Sequence, residues 1–317
     1  MLSLAVHCTD LEPMSLSAHE YREHLQATAD RNGFVFDPIV LPEEADVRVG
    51  ALSLHYLDWG TEGRPPILFL HGGGLTAHTW DMCCLALRED FHCVALDQRG
   101  HGDSDWPPEL DYSIGSQRED IKGFVDGLGW DRFALVGMSM GGLNALGFAE
   151  TYPERLSALV MVDIGPDPRL PGSRRIRDFV NDVAEIGSLD AIIDRALSFN
   201  PRRDREMLRR SLMHNLRQQP DGNWAWKYDR RRYGYMDRDS YKAERRGLAD
   251  GLARVTCPAL IVRGAQSDVF HAEDAESLAE RLPRGQLVTI ARAGHTVQGD
   301  NPKDLTAELR RFLGGAG

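Results

Sequence analysis

A series of short apolar runs, each halting at glycine or a polar residue, constrains this chain more than any other feature. Ile67–Leu70 stops at His71-Gly72-Gly73-Gly74, and Cys93–Leu96 stops at Asp97-Gln98-Arg99-Gly100. Phe133–Val136 stops at Gly137, Leu159–Val162 at Asp163, and Leu260–Val262 at Arg263-Gly264, while Gln286–Ile290 comes last. Runs this short and this uniformly apolar are strands buried on both faces, which requires a parallel sheet covered on each side.

Amphipathic stretches fill the gaps. Ser116–Leu128 carries Ile121, Phe124, Val125 and Leu128 on one stripe, with capping-box spacing between Ser116 and Glu119. Met140–Tyr152 is rich in small residues and ends before Pro153, and Asp274–Leu282 and Pro302–Leu313 are further helical segments. Val47–Val49 and Leu52–Leu57 form a hairpin around Gly50. Strand–helix alternation of this kind predicts a doubly wound sheet with right-handed crossovers. Residues 1–45 precede it as an N-terminal extension, with a short polar helix over Ser17–Arg31. From 166 to 250 the rhythm breaks: no strand is evident and Arg, Asp and helix formers dominate, so this stretch is expected to be a helical cap. The core is then 46–165 joined to 251–317.

The net charge of −11 argues against a nucleic-acid partner, which needs a basic face. No apolar run is long enough to span a bilayer, and Met1–Asp10 lacks the pattern of a signal peptide. Cys8, Cys83, Cys84, Cys93 and Cys257 show no disulfide framework and no zinc spacing, even with His78 or His92 added. They read as reduced packing thiols in a cytoplasmic protein.

Ligand sites of open parallel sheets lie at the carboxyl ends of the strands, so the chemistry is sought just after the apolar runs. Gly137-Met138-Ser139-Met140-Gly141 follows one run and opens a helix. By chance a bare G-x-S-x-G would occur roughly 0.1–0.2 times in such a chain; its place between strand and helix gives it meaning. The tight turn demands small flanking residues and holds the Ser139 hydroxyl exposed. A neutral hydroxyl needs a base, and His295, in the Ala293-Gly294-His295-Thr296 loop after the last strand, can reach that rim. The base needs an orienting carboxylate. Asp268 and Asp163 compete for that role, with Asp268 preferred. An oxyanion needs preplaced N–H donors: Met140 supplies one and the His71–Gly74 loop the other, Gly73 ahead of Gly74.

Together, His71-Gly72-Gly73-Gly74, Asp97-Gln98-Arg99-Gly100-His101-Gly102-Asp103-Ser104, Gly137–Gly141, Ser267-Asp268 and Gly294-His295 resemble the ordered motifs of the α/β-hydrolase superfamily over roughly residues 47–313. Within it the chain is similar to capped esterases, lactonases, carbon–carbon hydrolases and cofactor-free haloperoxidases. The resemblance implies an α/β-hydrolase fold: a mostly parallel eight-stranded sheet flanked by helices, with a helical cap inserted after the sixth strand. It also implies an acid after the seventh strand, which favours Asp268. Trp80 stands nine residues after His71, and that alignment puts Gly73 at the oxyanion position. Relatives that open epoxides or dehalogenate use an aspartate where this chain has Ser139.

The expected function is therefore serine hydrolysis of a carboxylic ester or lactone through an acyl-enzyme, with no metal or organic cofactor. The alternatives are a carbon–carbon hydrolase of the meta-cleavage type and a non-catalytic ligand receptor. Gly74, Leu75, Trp80, Met138 and Trp224 are the candidate substrate-binding residues around a small to medium apolar group, with Trp226, Tyr228, Tyr233 and Tyr235 as further aromatics of the cap. An arginine among Arg174, Arg175, Arg202, Arg203, Arg230, Arg231 and Arg232 would suit a substrate carboxylate.

Overall fold

The computed structural model describes residues 16–167, 188–199, 204–219, 221–232 and 238–315. The expected N-terminal helix is α1, Ala18–Asn32, capped by a reciprocal Ser17–Glu20 box. An antiparallel hairpin follows, β1 (Glu43–Val49) and β2 (Leu52–Asp58). Then come β3 (Pro66–Leu70), α2 (Asp81–Leu87), β4 (His92–Leu96), α3 (Ile114–Gly127), β5 (Phe133–Met138), α4 (Met140–Thr151) and β6 (Leu156–Val162). Between β6 and the next core strand lie α5 (Leu189–Phe199), α6 (Arg205–Asn215), the short strands β7 (Leu216–Gln218) and β8 (Trp224–Trp226), and α7 (Arg238–Gly251). The chain finishes with β9 (Ala259–Gly264), α8 (Ala272–Arg281), β10 (Gly285–Ile290), α9 (Val297–Asp300) and α10 (Pro302–Gly314).

Eight strands form one sheet in the order β1-β2-β4-β3-β5-β6-β9-β10. Only the pairings of β2, with β1 and β4, are antiparallel. Alternation along each strand builds two core layers. Ile67, Phe69, Cys93, Ala95, Val136 and Val160 face the layer covered by α1, α2 and α10. Leu68, Leu70, Val94, Leu96, Leu135 and Leu159 face α3, α4 and α8.

Two local expectations are corrected. The cap of α3 is Ser113, whose side chain accepts the Ser116 N–H, so the helix begins one turn earlier than the Ser116–Glu119 spacing suggests. The insertion is not purely helical, since β7 and β8 pair antiparallel around a turn where Gly222 holds φ 84°. Three-residue strands are too short to show alternation in sequence. The described part of the insertion has its own small core of Leu189, Ile192, Ile193, Leu208, Leu212, Leu216, Trp226 and Tyr228.

Candidate active site

The turn from β5 to α4 carries Ser139 at φ 53°, ψ −116°, a conformation that L residues rarely hold. Close backbone approach forces it. A Cβ on Gly137 would lie 2.3 Å from the Gly141 carbonyl oxygen, and one on Gly141 would lie 2.5 Å from that of Leu70. With no room for side chains on either flank, the serine is pushed out at the strand end, where it is only half-buried. Met140 is the first residue of α4, so its N–H has no intrahelical acceptor and is available to an anion.

The His71–Gly74 loop crosses the same point. A Cβ on Gly72 would meet Met138 Sδ at 2.6 Å and Ser139 Cβ at 3.3 Å. His71 anchors this loop: its Nε2 accepts the Gln98 N–H at 3.0 Å, and Nδ1 bonds the Gly72 carbonyl at 2.8 Å. With both ring nitrogens engaged, His71 serves as a spacer in the loop, and burial holds its pKa below the ordinary value. Asp97 secures the far side by accepting the Ala77 N–H at 2.7 Å and bonding His55 Nδ1 at 2.9 Å. Gly73 and Gly74 lie half-buried between these anchors, Gly74 at φ 78°.

Ser139 N–H donates to the Val162 carbonyl at 3.1 Å, so the residue after Val162 stands beside the serine on the neighbouring strand. That residue is Asp163, fully buried. Its Oδ2 accepts from His295 Nδ1 at 2.8 Å, its Oδ1 accepts the Gly264 N–H at 2.9 Å, and Ser267 Oγ donates to Oδ2. The expectation that Asp268 orients the imidazole is thus corrected: the carboxylate on His295 is Asp163. Asp268 is exposed, whereas its neighbour Ser267 turns inward to serve Asp163. Because an ionised carboxylate only accepts, His295 Nδ1 carries the proton and Nε2 keeps its lone pair. The histidine loop is itself fixed, by Gly294 N–H donating to Asp300 at 2.9 Å. A Cβ on Gly264 would sit 2.1 Å from the Gly294 oxygen, so that loop packs directly on the end of β9.

The proposed substrate walls are distributed unevenly. Leu75 is half-buried, Met138 is buried beneath the loop, and Trp80 is fully buried against Phe69, 5.2 Å between centroids, which makes it core. Trp224 packs on the small core of the insertion. Arg231 is engaged with Asp229 at 2.7 Å. Arg232, also considered for a substrate carboxylate, reaches His101 Nε2 and Met140 Sδ, each at 3.1 Å, a contact with the nucleophile turn that sequence reasoning did not foresee. Tyr233, Tyr235, Arg174, Arg175, Arg202 and Arg203 lie outside the described residues.

Comparison with known proteins agrees with this architecture. Residues 65–302 match the family model for the alpha/beta hydrolase fold. Esterase Rv0045c of Mycobacterium tuberculosis is 34% identical over 281 residues, covering 86% of this chain and 90% of its own. Its crystal structure superposes with a TM-score of 0.75 at 30% identity, covering 95% of this chain and 100% of that one. Epoxide hydrolase 1 of Caenorhabditis elegans is 28% identical over 288 residues, covering 84% of this chain and 69% of its own. The chain belongs to the α/β-hydrolase family.

Proposed function

We propose that this hydrolase cleaves carboxylic esters, lactones included, through an acyl-enzyme on Ser139. His295 Nε2 removes the Ser139 proton as Oγ attacks the carbonyl carbon. Asp163 stabilises the imidazolium that forms. The Met140 and Gly73 amides take the oxyanion, and His295 returns the proton to the leaving alcohol. Water then repeats the sequence and releases the acid. The observation that carries this reading is the 2.8 Å His295–Asp163 bond beside a serine held at φ 53°.

The likeness to an esterase over most of both chains supports ester hydrolysis ahead of carbon–carbon cleavage. Epoxide opening is disfavoured because a serine stands where that chemistry uses a carboxylate nucleophile. Gly74, Leu75 and Met138 remain the candidate walls for an apolar acyl or alcohol group. No described helix is long and apolar enough to cross a membrane, and the four described cysteines are free, which suits a small-molecule enzyme of a reducing compartment. Short p-nitrophenyl esters test the proposal. Turnover is expected from the wild type, with a loss of about a thousandfold or more in kcat/KM in Ser139→Ala. Turnover of a vinylogous diketone without ester cleavage would overturn it.

A further inference from the structure

Outside the Ser139, His295 and Asp163 set, three parts of the chain bring nitrogen and oxygen donors to one buried place. Tyr21 and His24 come from α1. His78 and Asp81 come from the turn into α2, and His214 comes from α6 of the insertion. The donor atoms of His78, Asp81 and His214 all lie within 4.8 Å of one another. His78 Nδ1 is 3.2 Å from Asp81 Oδ2, and the His78 and His214 rings stack with centroids 3.8 Å apart. Two partners stand behind them: Tyr21 OH donates to Asp81 Oδ2 at 2.8 Å, and His24 Nδ1 meets His214 Nε2 at 3.2 Å.

Left as it stands, the arrangement is costly. Asp81 is 6% exposed, yet its Oδ1 has no hydrogen-bond partner. Gln298 is 3% exposed and its Oε1 is unpartnered too. A buried polar oxygen without a donor loses hydration for nothing. Both residues line one cavity of ≈ 300 Å³, together with His24, His78 and His214. Unpartnered oxygens beside imidazole nitrogens are the complement of a cation.

We propose that His78, Asp81 and His214 bind a divalent first-row transition ion of the zinc class, held from behind by Tyr21 and His24. Imidazole nitrogen and carboxylate oxygen are donors such an ion accepts, whereas magnesium and calcium prefer oxygen alone. Ligand bonds of about 2.0–2.2 Å set tetrahedral donors about 3.4 Å apart, so binding draws in donors now within 4.8 Å of one another and turns the stacked His78 and His214 rings until both lone pairs meet the ion. Tyr21 and His24 occupy the outer positions that fix ligand orientation. The set shares no residue with Ser139, His295 and Asp163, so acyl transfer does not need the ion. Its effect is mechanical: one ion ties α1 and α6 to the core, stabilising the fold by mass action. The sequence hides the site because His214 lies far along the chain from His78 and Asp81.

The test is Zn²⁺ titration of chelator-treated full-length protein by calorimetry, with Co²⁺ as an optical reporter. One Zn²⁺ per chain is expected, with a rise in Tm and a visible Co²⁺ ligand-field band. His78→Gln and His214→Gln should each weaken binding at least about tenfold and abolish the band, and Tyr21→Phe should weaken it roughly tenfold. His295→Gln should bind as the wild type does. Equal binding by the two ligand variants, or loss of binding in His295→Gln, overturns the proposal. Should the variants fail to fold, anomalous scattering from Zn²⁺-soaked wild-type crystals decides. Density between His78, Asp81 and His214 supports the site, and density elsewhere or none refutes it.

Discussion

Asp163 leaves β6 at φ 54°, and this unusual backbone turns its carboxylate inward to His295. Asp163→Asn should lower kcat for ester hydrolysis by about three to four orders of magnitude, because the amide can stabilise neither the tautomer nor the imidazolium. Asp268→Asn, at an exposed position, should stay within about tenfold of the wild type; the reverse ranking in paired kinetics would return the acid role to Asp268. In sequence both aspartates end neighbouring strands on one rim, and spacing cannot say which carboxylate turns in. The half-legible signal was Ser267, polar but buried, next to the wrong candidate. Ser139 and His295 were legible because glycine at 137, 141 and 294 has few other uses beside a strand end. A second residue-scale outcome concerns His55, whose pKa rises to about 10: burial opposes the charge, but bonds to Asp97 and Glu44 outweigh it. Raised above the unfolded value of about 6.5, this group gives stability that is complete below that pH. It is lost as pH climbs through the folded value, by up to about 1.4 kcal/mol per unit. Urea unfolding from pH 6 to 10 should show this decline, and His55→Asn should flatten it.

At the scale of elements, the β5–α4 turn works because backbone replaces side chain on both flanks of the serine. Gly141→Ala tests this directly, since the new Cβ would approach the Leu70 and His71 carbonyls at 2.5 and 2.6 Å. Main-chain oxygens of a central strand cannot step aside, so a cost of about 3 kcal/mol or more is expected in urea unfolding, with activity falling as well. An unchanged midpoint would mean that the turn is looser than its geometry. The central strands were readable because burial on both faces removes polar residues from them, and β3, β5 and β6 follow the apolar runs closely. The β7–β8 ribbon was not readable, because its order comes from partners distant in sequence. Gly102 N–H donates to the Lys227 carbonyl at 2.6 Å, and Asp229 N–H donates to that of Gly100 at 2.7 Å. These bonds lock the insertion onto the Asp97–Ser104 turn, so a motif that carries part of the family resemblance also seats the insertion.

For the whole molecule, the described part of the N-terminal extension belongs to the fold that carries the site. Tyr21, Leu25 and Ala29 are buried in the same cluster as Trp80, Leu87 and Leu309, so α1 closes one face of the sheet. Sequence could predict the helix but not its docking, because a polar helix with few apolar residues gives no hint of which surface those residues meet. Leu25 is 1% exposed and lies where α1 covers this layer. Leu25→Ala removes buried methyl groups whose space the surrounding side chains cannot fully reclaim, which costs about 2–5 kcal/mol. Were α1 a detachable appendage, the substitution would leave the main unfolding transition unmoved. Docked as it is, the variant should unfold at lower urea in a single transition of nearly unchanged slope.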